Sequence, residues 1–172
     1  MATDLVELAR GQTRSQFLAE HAGYYLLKRP RADVALAAEP QFGFATTVTK
    51  INVDPFARQW QVFPVTKRPG NPYPERLTVG RATNCDIVLR VPFISKVHAH
   101  ILLEPDGSFS LQDAESSHFT FLNHRKLAPG MARKLQVGDA IGFGSLVFEF
   151  VDGGRLYDVL RAQGSSTAPP GT

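Results

Sequence analysis

Two textures divide this chain. From Gln59 onward the apolar spacing shifts toward two, the period of a strand with one face on a core. The runs WQVFPVTK, RLTVG, DIVLR, AHILLE, SFSLQD, FTFLN and LVFEFV are short, rich in β-branched and aromatic residues, and separated by turn chemistry. Glu104-Pro105-Asp106-Gly107-Ser108 predicts a hairpin between two of them, with Gly107 free to take positive φ. Nothing in this region offers the ten or more helical residues that a βαβ crossover needs, so the pattern predicts an all-β sandwich.

The flanks differ. TRSQFLAEHAG begins with Thr13 and Gln16 at capping-box spacing, carries Phe17, Leu18 and Tyr25 as apolar positions, and meets a helix stop at Gly23. A shorter helix is expected around Leu5 to Ala9. KRPRAD then breaks the pattern at Pro30 and reads as a solvated basic turn. At the other end, DGGRLYDVLRAQG predicts a terminal helix with Leu156, Val159 and Leu160 as its apolar stripe, DGG reading as a hinge before it. SSTAPPGT is too polar and Pro-rich to order itself. KRPGNPYPERL, residues 67 to 77, reads as an extended loop, and GFGSL as a tight strand connection, since no helix follows it to make a nucleotide loop. The segment before the sandwich has too little apolar surface for a core of its own; it either packs on the sandwich or docks a second protein.

Composition narrows the class. The chain has 172 residues, 43% hydrophobic and 20% charged, with 12 Phe, which suits one ordinary globular domain with extensions. The net charge of +3 is scattered over short Lys/Arg pairs rather than gathered in a stripe, so no nucleic-acid partner is expected. Cys85 is the single cysteine, which excludes an internal disulfide and suits a reducing compartment; it reads as a small loop or core residue. MATDLVELARGQ lacks the basic start and apolar core of a signal peptide, and no run approaches about 18 apolar residues. A cytoplasmic protein with no membrane partner is the expectation.

Within the strand region, Gly80-Arg81, then Asn84-Cys85-Asp86-Ile87, then Ser95-x-x-His98, and finally Gly138-Asp139 follow one another in an ordered set. This order and spacing, over roughly residues 60 to 151, resembles the forkhead-associated (FHA) domain family. The resemblance implies a β-sandwich of two mainly antiparallel sheets. The expected organisation is a partly helical extension over 1–57, the sandwich over 58–151, and a short helix with a flexible tail over 152–172. It also implies a binding module in signalling, with a phosphothreonine-containing protein or peptide as partner, a Ser/Thr kinase or its substrate, and no cofactor.

A phosphate brings three acceptor oxygens and about −1.5 to −2 charges, so its receptor needs cations and hydroxyls from neighbouring loops. Arg81, at a strand end, can donate two parallel bonds from its planar guanidinium. Ser95 offers a hydroxyl from the next loop, Lys96 a mobile charge, and Ser117 a second hydroxyl. By the resemblance, His98 with Gly80 supports the binding loops rather than touching ligand.

The third loop departs from the family. Where the family has Ser/Thr-Asn-Gly, this chain has Ser117, His118 and Phe119. An imidazole has one donor and one acceptor at a different reach from an amide, and Phe119 would be strained at the positive φ that Gly tolerates. His118 is thus an altered peptide contact, and the alternative to phosphothreonine reading is a sandwich that docks its partner without phosphate. A metal-dependent enzyme built on His98, His100, His118 and His124 is the remote reading: H-x-H is a ligand spacing, but no Cys or carboxylate accompanies it. Ser95 and His98, three apart at a strand entrance, point to opposite faces and make a poor nucleophile and base. No catalytic or metal residue is expected.

Overall fold

The computed structural model of the protein describes residues 2–30 and 60–162. Residues 31–33 of the basic cluster, the boundary expected near residue 57 and the SSTAPPGT tail lie outside the described residues. In chain order the elements are α1 (Ala2–Gly11), α2 (Arg14–Glu20), β1 (Tyr24–Lys28), β2 (Gln61–Pro64), β3 (Arg76–Gly80), β4 (Ile87–Val88), β5 (Ala99–Leu103) and β6 (Phe109–Asp113). They continue with β7 (Thr120–Leu122), β8 (Arg125–Lys126), β9 (Arg133–Lys134), β10 (Ala140–Phe143), β11 (Leu146–Asp152) and α3 (Gly153–Ala162).

The strands make two sheets, in the orders β2-β1-β11-β10-β7-β8 and β4-β3-β5-β6-β9. All pairings are antiparallel except β3 with β4. One core fills the space between the sheets: Leu26, Phe63, Ile141, Phe143, Phe148 and Phe150 from the first meet Leu77, Val79, Ile101 and Leu111 from the second. This is the all-β sandwich that the alternating runs predict, with the two mainly antiparallel sheets that the resemblance implies. Each of those seven runs contains a strand, the β5–β6 hairpin turns at Gly107 with φ 82°, and GFGSL is the two-residue turn joining β10 to β11.

The helices cover the outer face of the first sheet. Phe17, Leu156 and Leu160 are fully buried beside Tyr25, Leu27, Trp60 and Val151, with Val159 partly buried against them. The Thr13–Gln16 capping box is present, Tyr157 donates its hydroxyl proton to the Gln12 carbonyl at 3.0 Å, and Phe17 lies 5.4 Å from the Tyr157 ring. The described part of the N-terminal segment therefore packs on the sandwich.

Three sequence expectations are corrected. Tyr25 belongs to no helix: α2 ends at Glu20, and Tyr24–Lys28 is a strand lying between β2 and β11. Four of its five residues are buried, Leu26 in the main core and Tyr25 and Leu27 under the helices. A strand covered on both faces has no alternation to betray it, and its apolar run reads as the end of a helix. Lys28, expected in a solvated turn, is its buried last residue. The DGG hinge is likewise absent, because Gly153 and Gly154 are buried in the first turn of α3. A Cβ on Gly153 would stand 1.8 Å from the His21 carbonyl oxygen, so these glycines serve close approach between the helices rather than mobility.

Candidate functional site

Three loops gather at one end of the sandwich: the turn after β3, the long loop between β4 and β5, and the loop between β6 and β7. The first two are sewn together by main-chain bonds. The Arg81 N–H donates to the Ser95 carbonyl at 2.9 Å, Ala82 N–H to the Lys96 carbonyl at 3.0 Å, and His98 N–H to the Val79 carbonyl at 2.8 Å. The buried Cys85 thiol adds a 3.3 Å contact to the Lys96 carbonyl, and burial pushes its pKa up, so it acts as a small packing group rather than a reactive thiolate. Such closeness requires glycine at position 80: a Cβ there would stand 2.2 Å from the Lys96 carbonyl oxygen.

Arg81 is exposed, and its Nε donates to the Ile94 carbonyl at 3.0 Å. That bond orients the guanidinium and leaves its two terminal NH2 groups for a ligand. The Ser95 hydroxyl oxygen accepts the Ser117 N–H at 3.1 Å, which joins the second loop to the third and leaves the hydroxyl proton of Ser95 able to donate. Arg81, Ser95 and Ser117 are thus brought together. Lys96 and His118 are exposed nearby. The Lys96 contacts to the other loops run through its carbonyl, and the His118 ring stands edge-on to Phe93 at 6.3 Å, so neither side chain is fixed to the Arg81 group.

His98 is fully buried. Its Nδ1 accepts the Ser95 main-chain N–H at 3.2 Å, and its Nε2 lies 2.9 Å from the Phe119 carbonyl oxygen. Those partners assign the neutral tautomer with the proton on Nε2. Burial lowers its pKa, partly offset by the Phe119 carbonyl and by Asp113. The link to Ser95 is through the backbone rather than the hydroxyl, which is support and not nucleophile activation. Of the other histidines, His100 sits across from Thr78 and Gln112 in the second sheet and His124 occupies the β7–β8 turn. Among the described residues no three His, Cys, Asp or Glu side chains group in a way that could hold a metal.

Phe119 has φ 68°, the region glycine favours, as the comparison with Ser/Thr-Asn-Gly anticipates. Its ring is 41% exposed rather than packed in the core, and the Lys126 ammonium lies 3.3 Å from the ring centroid. Its carbonyl accepts from both His98 and the Gly144 N–H, so the strained residue is held from two sides.

Sequence reasoning gave no role to two carboxylates behind the loops, Asp113 and Asp86, the second of which it named only as part of the ordered set. Buried Asp113, at the end of β6, accepts from Ser116 N–H at 3.1 Å, from the Ser116 hydroxyl at 2.5 Å and from the Thr120 hydroxyl at 2.6 Å, bracketing the third loop. Asp86 accepts from Thr78 N–H and Arg68 N–H, both at 2.8 Å, and from Lys67 Nζ at 3.3 Å. Burial alone would raise its pKa, but these donors outweigh it and hold the carboxyl below the usual range. The available signal was chemical: an Asp at an apolar strand end must find donors, and Asp113-x-x-Ser116 has turn spacing.

A family model for the FHA domain matches residues 77–144. Kanadaptin of Homo sapiens is 34% identical over 82 residues, covering 42% of this chain and 11% of that protein. Protein FraH of Nostoc sp. is 35% identical over 77 residues, covering 45% of this chain and 24% of that protein. The chain thus spans about a tenth and about a quarter of the length of these two relatives. Among solved structures, the N-terminal FHA domain of Rad53p from S. cerevisiae, in complex with a phosphothreonine peptide, is 23% identical with a TM-score of 0.46, over 58% of this chain and 90% of that one. Among the described residues no helix is long and apolar enough to cross a membrane. Residues 77–144 are thus the part of this chain that is similar to the forkhead-associated, or FHA, domain family.

Proposed function

We propose that the chain is a phosphothreonine-dependent binding module in signalling, acting without catalysis on a phosphorylated segment of a Ser/Thr kinase or of a kinase substrate. Arg81, Ser95, Lys96 and Ser117 form the anion cradle, His118 contacts the peptide beside it, and Gly80 and His98 hold the loops. The observation that carries this reading is the convergence of three loops on Ser95: its carbonyl takes the Arg81 N–H and its hydroxyl oxygen takes the Ser117 N–H. A phosphate seated there would meet the guanidinium, two hydroxyls and an ammonium at once. The buried, unpaired Cys85 suits a reducing cytoplasm.

Phe119 at positive φ, with His118 before it, favours the second reading, a sandwich that docks its partner without phosphate. Calorimetric titration with a phosphothreonine peptide library and its unphosphorylated twin decides between them. Phosphate-dependent binding that Arg81→Ala weakens by about 1.5–3 kcal/mol, roughly ten- to 150-fold, supports the cradle. Equal binding of the twins, or an Arg81→Ala protein of unchanged affinity and intact circular dichroism, overturns it.

A further inference from the structure

We propose that the open side of the sandwich beside the third loop, built from Arg125, Lys126 and Arg133, takes an acidic stretch of the partner next to its phosphothreonine; this rests on the phosphothreonine reading above. β8 is the last strand of the six-stranded sheet and β9 the last of the five-stranded one. The six residues from Leu127 to Ala132 cross from one edge to the other, so both edges lie on the same side of the molecule. The crossing occurs at the loop end. Leu127 N–H donates to the Thr120 carbonyl at 2.9 Å and Gly130 N–H to the Asp113 carbonyl at 3.1 Å, the two residues that bracket the third loop.

Each edge strand is an exposed Arg-Lys pair. Lys134 is answered by Asp106 at 3.2 Å, toward the far end of β6. Arg125, Lys126 and Arg133 have no carboxylate partner among the described residues. The register sets Arg125 opposite Leu122 and Arg133 opposite Leu111, both of which pack in or against the main core, so the two arginines rise from facing sides of the two sheets at the open edge. Lys126 sits on the other side of β8, over the Phe119 ring, and links this edge to the third loop.

Edge strands commonly carry lysine to deter pairing with other sheets. One charge on each edge would serve that purpose. It does not account for two guanidinium groups brought from opposite sheets to one side, nor for a lysine held on the residue that closes the third loop. Guanidinium forks suit carboxylates, and a peptide already anchored by its phosphate brings its neighbouring side chains into their reach without a second association cost. The patch is two residues long on each strand, the width of an extended peptide segment rather than a nucleic-acid groove.

The test uses the full chain and phosphothreonine peptides of equal length, with Asp/Glu or with neutral residues on either side of the phosphothreonine. At low salt the acidic peptide is expected to bind about three- to 150-fold tighter, the sum of three exposed pairs. The advantage should vanish at about 0.5 M salt, where the Debye length is a few ångströms. Arg125→Gln with Arg133→Gln should remove it at low salt while leaving the neutral peptide's affinity unchanged, and Lys126→Gln should remove part of it; melting temperatures check that the variants are folded. Equal affinity for the two peptides, or an acidic advantage that survives the double change, overturns the surface while leaving the cradle standing. Failure of both peptides to bind overturns the cradle and the surface together, and acidic binding that ignores phosphate but needs the arginines keeps the surface and overturns the cradle.

Discussion

The imidazole of His98 reaches the main-chain carbonyl of Phe119, 21 positions later in the chain, with its Nε2 at 2.9 Å, while its other nitrogen takes the N–H of Ser95. One buried ring thereby holds the second and third loops at a common height beneath the candidate cradle. The proposed contact with ligand falls to residues above it, and the two duties can be separated by mutation.

His98→Ala leaves the Ser95 N–H without its partner and takes from the Phe119 carbonyl one of its two donors, so it is expected to destabilise the fold by about 1–3 kcal/mol. Ser95→Ala should lower phosphopeptide affinity with a smaller change in melting temperature. Thermal melts and titrations of both proteins check this; a His98→Ala protein that melts like the parent contradicts the bracing role.

The same ring predicts a pH dependence. Burial depresses the His98 pKa in the folded chain, so the unfolded chain binds a proton that the folded one refuses. Its contribution is complete above the unfolded value of about 6.5 and is lost as pH falls through the folded value, with a slope of at most about 1.4 kcal/mol per pH unit for one proton. His100, whose pKa burial and Arg76 also lower, works in the same direction. Denaturant melts between pH 5 and 7.5 should therefore show falling stability toward acid, and His98→Gln should flatten the slope.

Gly80→Ala tests the closeness of the first two loops. A Cβ 2.2 Å from the Lys96 carbonyl forces the loops apart, and a loss of about 1–3 kcal/mol in stability is expected together with weaker phosphopeptide binding. Chemical denaturation and calorimetry on the same sample measure both.

In the third loop, Phe119→Gly relieves a positive φ worth about 1–2 kcal/mol and removes a cation–π contact worth about 0.5–1 kcal/mol. The melting temperature should hold or rise slightly, since the ring is 41% exposed. Combined with His118→Asn, affinity for phosphothreonine peptides should rise by one or two neutral hydrogen bonds, about 0.5–1.5 kcal/mol each. A protein that unfolds on Phe119→Gly contradicts the surface placement of the ring.

Phe17→Ala tests the helical layer, where the ring is fully buried against Tyr157. A loss of about 3–5 kcal/mol is expected, read from urea melts.

Much of the sandwich was legible because half-buried strands announce themselves by alternation, and RLTVG and AHILLE sit where that signal is cleanest. The strain at Phe119 was legible for a different reason: a position where glycine is usual keeps its backbone geometry when the residue changes. β1 escaped because both its faces are covered. β8 and β9, two residues each, are too short for any period to register. The roles of Asp86 and Asp113 escaped because a carboxylate looks the same in a sequence whether it faces water or a nest of donors from Thr78, Ser116 and Thr120. Position along the chain likewise could not tell that the paired glycines after β11 serve contact with His21 rather than bending.

The placement of β1 between β2 and β11 sets an order of events for the newborn chain. Tyr25 pairs with Val151, 126 residues later, so at about 5–20 residues per second an apolar strand emerges many seconds before its neighbour β11 exists. Loop-closure entropy over that separation must be met before the first sheet is complete. The early helices are short, and α1 and α2 also wait for α3 to bury Phe17. The second sheet, whose strands follow one another closely, can assemble on its own schedule, while the first remains open until the ribosome has delivered nearly the whole described chain.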